Sequence, residues 1–223
     1  GLQHHEAHAW SVLGENDLID TEEPVLCVVW DGTGYGHDHN VWGGEFFRYE
    51  NYEMKRAAHI DYFPMWMGDT MAKEPRLSAL FLCSDLPHSD KILKPKFSNQ
   101  EWNYYSKMIA TEPPRYTSSM GRLFDAVASL LGVCDQNTFE GQAASYLETL
   151  AATTTTTSRY PLQWKDSILD VKNVMEHILQ DIMHKRSSAY IAYKFHTYLA
   201  DVVYDFASRS GMKKIAFSGG VFQ

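Results

Sequence analysis

The chain is short of what several functional classes need. Positive charge is in deficit: 20 Lys and Arg face 28 Asp and Glu, a formal net charge of −8. DNA and RNA surfaces need a basic face, so nucleic-acid binding is disfavoured, while a local basic pocket for a small phosphate is not. No apolar run approaches the ~18 residues of a membrane span. Gly1–Leu13 lacks the charged n-region and apolar stretch of a secretory leader. Cysteine is scarce: Cys27, Cys83 and Cys134 are odd in number and share no CxxC spacing. That pattern encodes no disulfide framework and no cysteine zinc site, and reads as buried reduced thiols in a cytoplasmic protein.

Apolar residues are present in quantity. At 44% of 223 residues they suffice for a substantial core, in one large domain or two small ones. Val25–Trp30 is a continuous apolar run between Pro24 and Asp31-Gly32, the pattern of a strand covered on both faces. Trp42–Tyr49 and Arg56–Phe63 read as strands with a turn at Asn51. Helices are expected over Ala7–Leu13, Met71–Cys83, Gln100–Ile109, from Ser118/Ser119 to Leu131, and over Gln142–Ala152. Ile168 to Ile182 and Ile191 to Phe206 carry helical spacing and read as an antiparallel helix pair. The threonine run Thr153–Thr157 reads as a surface loop. Lys213–Phe217 reads as a strand closed by the turn Ser218-Gly219-Gly220. The organisation expected is α/β, with a β-rich part of a lobe over 1–64, a helical region over 65–210, and the start of a second-lobe strand and nucleotide loop over 211–223. Both ends read as cuts in a longer polypeptide.

Three features carry chemistry. His4 and His8 are four apart, so a helix would put both imidazoles on one face, as for two ligands of one metal. The same spacing also fits a solvated helix face. Asp31 ends the buried strand, where α/β proteins gather ligands, and reads either as a turn cap or as a working carboxylate. The following segment, Gly32-Thr33-Gly34-Tyr35-Gly36, reads as a loop whose backbone can approach an oxyanion. Ser218-Gly219-Gly220 is a second strand-end glycine turn, and the two fit a nucleotide held between two β-containing lobes. Asp125 and Gly141 read equally as caps or as contributors. No Cys or Ser stands beside a His at the spacing of a nucleophile–base pair.

Taken in order, these segments resemble one family. Gln3-His4-His5-Glu6-Ala7-His8, Val29-Trp30-Asp31-Gly32-Thr33-Gly34-Tyr35-Gly36, Trp42-Gly43-Gly44-Glu45 and Gly121-Arg122-Leu123-Phe124-Asp125-Ala126-Val127 carry the likeness. So do Glu140-Gly141-Gln142-Ala143-Ala144 and Phe217-Ser218-Gly219-Gly220-Val221-Phe222-Gln223. The chain is similar along its length to the carbamoyl-transfer module of the HypF-type [NiFe]-hydrogenase maturation carbamoyltransferases. The resemblance implies a two-lobed actin/Hsp70/sugar-kinase-like (RNase H-like) fold, truncated, with a large helical segment. It implies transfer of a carbamoyl group from carbamoyl-adenylate, made from ATP and carbamoyl phosphate, to the C-terminal cysteine thiolate of a HypE-type partner. By the same likeness, His4, His8 and Asp31 match metal ligands for Zn or Fe, with Asp31 also catalytic. Gly32, Thr33, Gly34, Tyr35, Gly36, Asp125, Gly141, Ser218, Gly219 and Gly220 match the nucleotide site. A further family metal-ligating Asp falls beyond Gln223. The alternatives are an ATPase or kinase of the same superfamily, or an O-carbamoyltransferase. Mg²⁺ prefers oxygen ligands, which sets the histidine pair against the first.

Overall fold

The structure, a computed structural model, describes residues 1–223. In chain order its elements are α1 (His4–Glu15), β1 (Val25–Tyr35), β2 (Val41–Glu50), β3 (Glu53–Ile60), β4 (Phe63–Pro64), α2 (Thr70–Lys73), α3 (Pro75–Cys83), α4 (Ser89–Leu93) and α5 (Asn99–Ile109). They continue with β5 (Tyr116–Thr117), α6 (Met120–Leu130), α7 (Gln142–Ala151), β6 (Trp164–Lys165), β7 (Ile168–Leu169), α8 (Val171–Met183), α9 (Ser188–Ser210) and β8 (Lys214–Ser218). All strands join one mixed eight-stranded sheet. β2 pairs antiparallel with both β1 and β3, and β8 pairs in parallel with β1.

The sheet divides two cores, and β1 shows how. Its residues Val25 to Trp30 are all buried, so both faces are covered. Successive side chains of a strand point to opposite faces. Val25, Cys27 and Val29 accordingly pack with Ala9 and Leu13 of α1 in a nine-residue cluster. Leu26, Val28 and Trp30 enter the larger cluster of 42 buried residues, built with the helices. α1 therefore lies on one face of the sheet and the helical region on the other.

Local chemistry sets the helix ends. Gln3 caps α1 by accepting from the His5 and Glu6 amides at 2.7 and 3.0 Å. A Ser98/Glu101 capping box opens α5, and Ser119 accepts from the Arg122 amide to open α6. Asn51 and Tyr52, at φ 51° and 61°, form the two-residue turn between β2 and β3.

Several expectations are corrected. Gly32 to Tyr35 are not a loop: β1 runs on to Tyr35, with Gly34 opposite Trp42 and Tyr35 opposite Val41, after a register shift beyond Trp30, and only Gly36 lies outside the strand. The helix expected over Met71–Cys83 is broken at Glu74, because Pro75 supplies no amide to continue it and instead starts α3. Ile168 is in β7, bonded to β3, and α8 starts only at Val171. α9 packs more against α7 than against α8, so the expected pairing of the two long helices is a minor contact. The strand expected to open a second lobe lies beside β1 in the same sheet.

Candidate functional site

α1 presents its first turn to the middle of β1. From there His4 Nε2 and His8 Nε2 both reach Asp31 Oδ2, at 3.0 and 3.3 Å. The three donor atoms lie within 4.8 Å of one another. Side-chain exposures of 49, 33 and 20% leave the cluster open to solvent on one side. Burial alone would raise the Asp31 carboxyl. The His4 hydrogen bond, the Gly32 amide at 2.7 Å and the His8 charge outweigh it and hold the group below the usual carboxylate range. An anionic carboxylate facing two Nε2 atoms is a donor set that suits a divalent metal such as Zn²⁺ or Fe²⁺. Ser218 Oγ lies 3.4 Å from His8 Nδ1, where it can fix the ring orientation that points Nε2 at Asp31.

Both glycine segments converge on Asp31. Gly219 sits at φ +100°, and a Cβ there would fall 2.2 Å from the Trp30 carbonyl oxygen. Only glycine lets β8 turn across the end of the buried run. A Cβ on Gly220 would lie 3.2 Å from Asp31 Oδ1. Gly34 has a different partner from the one its place in the sequence suggests. A Cβ there would lie 2.4 Å from His5 Cε1 and 2.8 Å from His4 Cδ2. Its missing side chain is the seat of the histidine turn. His5 fills that seat fully buried, with Nδ1 3.0 Å from Gln3 Nε2. Burial, then the neighbouring His4, lowers its pKa to about 4, so it stays neutral.

The other expected site residues are more scattered. Thr33 and Tyr35 line an open cleft of about 410 Å³ with Met65, Trp66 and Arg115. Tyr35 also bonds His39 through its hydroxyl, while Gly36 packs on the Trp42 indole. Asp125 is not at the surface of the cluster. It is buried in α6, beside Arg122 and Asn137. Gly141, at φ +75°, starts α7, whose Ala143 amide is held by the same Asn137. His59, His177 and His196 each bond a backbone carbonyl through Nδ1.

Sequence reasoning passed over four contributors. Gln3 caps the histidine helix. Ser119 donates to the Gly32 carbonyl at 2.6 Å, tying α6 to the end of the buried part of β1. Buried Glu45 accepts from Ser118 and pairs with Arg56 at 2.5 Å, fixing the turn before α6. Arg122 stands over Gly32. A Ser-Ser pair before an apolar-periodic helix, followed by Arg and Asp three apart, was the available signal for two of these.

Comparison with known proteins identifies the family. The family model for the second subdomain of the Kae1-like domain of carbamoyltransferases matches residues 27–223. The chain belongs to this carbamoyltransferase HypF family. It is 34% identical to carbamoyltransferase HypF of Synechocystis over its full length, which is 31% of that relative. It is 29% identical to a probable carbamoyltransferase HypF of Methanocaldococcus jannaschii, over 99% of this chain and 30% of the other. The chain thus spans about a third of these relatives. A crystal structure of full-length HypF in a phosphate- and nucleotide-bound form superposes with a TM-score of 0.88, at 33% identity, over 100% of this chain and 36% of that one. HypF of T. kodakarensis gives a TM-score of 0.83 at 29% identity, over 99% of this chain and 30% of that one.

Proposed function

We propose that this chain is the carbamoyl-transfer module of a hydrogenase-maturation protein. It passes the carbamoyl group of carbamoyl-adenylate to the C-terminal cysteine thiolate of a HypE-type partner. The observation that carries the reading is the cluster of His4, His8 and Asp31, with Gly32 and Gly220 placed against the same carboxylate. His4, His8 and Asp31 hold a Zn or Fe ion, and Asp31 is the residue on which transfer depends. When bound, the ion supplies Lewis-acid polarisation of the carbamoyl oxygen. Gly32 and Gly220 leave room beside Asp31 for the nucleotide, with Gly219 turning the chain there and Thr33 and Tyr35 in the adjoining cleft. The parent protein has the two-lobed actin-like architecture, in which this chain contributes one lobe and its helical insertion.

The thiolate sulfur attacks the carbamoyl carbon. The carbon–oxygen bond to the phosphate breaks, and AMP leaves with the electron pair. The acceptor sulfur comes from the partner. Cys27, Cys83 and Cys134 are all buried, and burial raises each thiol, that of Cys27 to about 12. The full-length protein, given carbamoyl phosphate, ATP and a peptide ending in cysteine, should add a carbamoyl mass to that cysteine. Asp31→Ala should abolish the addition. Phosphoryl transfer to the peptide, or transfer at the wild-type rate by Asp31→Ala, would overturn the reading.

A further inference from the structure

Arg122 is a strongly basic side chain placed against Gly32, the residue that follows Asp31. It sits in the first turn of α6, with its side chain 15% exposed. Its position is over-determined. The Ser119 hydroxyl accepts from the Arg122 amide at 3.1 Å and donates to the Gly32 carbonyl. A Cβ on Gly121 would come within 3.0 Å of Gly32 Cα, so α6 lies directly on the strand. A Cβ on Gly32 would in turn lie 3.8 Å from Arg122 Nη2. Glycine at position 32 thus leaves the space next to the guanidinium free of a side chain.

The guanidinium is held from behind and left free in front. Its Nε is 2.9 Å from Asp125 Oδ2, in ion-pair contact but not aligned as a hydrogen bond. Asp125 is anchored in turn by Asn137 Nδ2 at 3.2 Å. Neither terminal nitrogen of Arg122 has a hydrogen-bond partner within the protein. A planar guanidinium anchored through Nε keeps its Nη1/Nη2 edge available for two oxygens of one phosphoryl group.

We infer that Arg122 binds the phosphoryl oxygens of the nucleotidyl group handled at this site, and that Asp125 acts through Arg122 as its positioning residue. This rests on the proposed carbamoyl-transfer reading for the identity of the ligand but not for the contact itself. Arg122 supplies the side-chain charge opposite the phosphate. Gly32 supplies the space.

The test is site-resolved, so nucleotide bound elsewhere in the parent protein does not obscure it. Full-length protein is treated with phenylglyoxal, and modification of the Arg122 peptide is followed by mass spectrometry with AMP, with adenosine or with neither. Saturating AMP should slow modification at least tenfold, while adenosine leaves the rate unchanged. Equal rates with and without AMP, or equal protection by adenosine, would overturn the inference. Kinetics give a second reading: Arg122→Gln should raise the KM for nucleotide at least tenfold at unchanged metal content, with partial recovery in Arg122→Lys. Wild-type kinetics in Arg122→Gln would sink the Arg122 role and leave carbamoyl transfer standing. Protection by AMP in a protein that transfers no carbamoyl group would do the reverse.

Discussion

The two faces of the sheet are built differently. On one, α1 is held by a nine-residue apolar cluster, the Gln3 cap and the seat that Gly34 leaves for His5. On the other, helices α3, α6, α8 and α9 share a core of 42 buried residues with β1 and β2. The candidate site draws its imidazoles from the lightly held face and its carboxylate from the sheet itself. Arg122 comes from the heavily held face. Site integrity and global stability are therefore separable: damage to α1 should empty the site before it unfolds the protein, and damage to the helical core should do both.

The sharpest test of that contrast is Phe46→Ala. Phe46 is fully buried and packs edge-on against Trp30 at a 5.9 Å centroid distance. Truncation should cost about 3–5 kcal/mol through lost burial and the cavity left behind. Denaturant unfolding should show the loss as one cooperative shift that includes α1. Separate transitions for α1 and the helical region, with the helical one unmoved, would break the comparison.

The helical face was largely legible in the sequence, because its periodicities and caps are local. Ser119 opens α6 where the Ser118/Ser119 pair is read, and α9 follows its apolar spacing. The join between elements was not legible. Gly34 looks like a phosphate-loop glycine because its neighbours are glycines. Its contact with His5 links residues 34 and 5, a pairing no local pattern encodes. The continuation of β1 past Asp31 has the same origin: glycine weakens a strand by propensity, and only the pairing with β2 restores it. Asp125 read equally as a cap or a contributor, and its burial beside Arg122 appears only once α6 is seated on Gly32. For His4, His8 and Asp31, i,i+4 spacing and a strand-end position left a solvated face and a turn cap open, the family resemblance named them together, and the fold brings their donor atoms within 4.8 Å.

The next largest effect is expected where the heavily held face meets the site. Burial lifts the Asp125 carboxyl to about 6, against the pull of Arg122. An acid whose pKa is raised on folding contributes stability that is fully present below its unfolded value and lost as pH rises through the folded one. Between pH 4 and 7 this costs the wild type up to about 3 kcal/mol. Asp125→Asn does not titrate, so its stability relative to wild type should improve by that amount over the same interval. Urea unfolding of both proteins at four pH values checks it, and parallel profiles would mean that Asp125 is ionised throughout.

Gly34→Val probes the light face. The added side chain meets the His5 and His4 rings, and overpacking of this kind costs about 1–3 kcal/mol. The displaced element is α1, so the cost should fall there. Hydrogen exchange should speed up in α1 amides and leave those of β1 unchanged, while metal content drops. Retained metal with faster exchange in β1 would show that the two faces fail together.

The smallest expected effect is the most selective. Gln3 is outside α1, and its side chain does three things at once. Oε1 accepts from the His5 and Glu6 amides, while Nε2 lies 3.0 Å from His5 Nδ1 and donates to the Tyr35 carbonyl at 3.1 Å. Gln3 thus caps the helix, orients the buried imidazole and ties both to the end of β1. Gln3→Ala removes all three without adding bulk, and loss of a cap alone costs about 1 kcal/mol. Global stability should fall by about that amount, a shift of a few degrees in Tm at most for a chain of this size. The candidate metal site should respond more than the fold. With α1 fraying from its first turn, His4 loses its fixed approach to Asp31, while His8, one turn further in and backed by Ser218, keeps its own. A weakening of metal binding of about tenfold is expected, in line with loss of other groups that orient ligands. Titration with Zn²⁺ against a competing chelator measures it. Affinity equal to wild type, at a Tm lowered by the same amount, would show that the cap serves stability alone and that the histidine turn is oriented by Gly34 and His5.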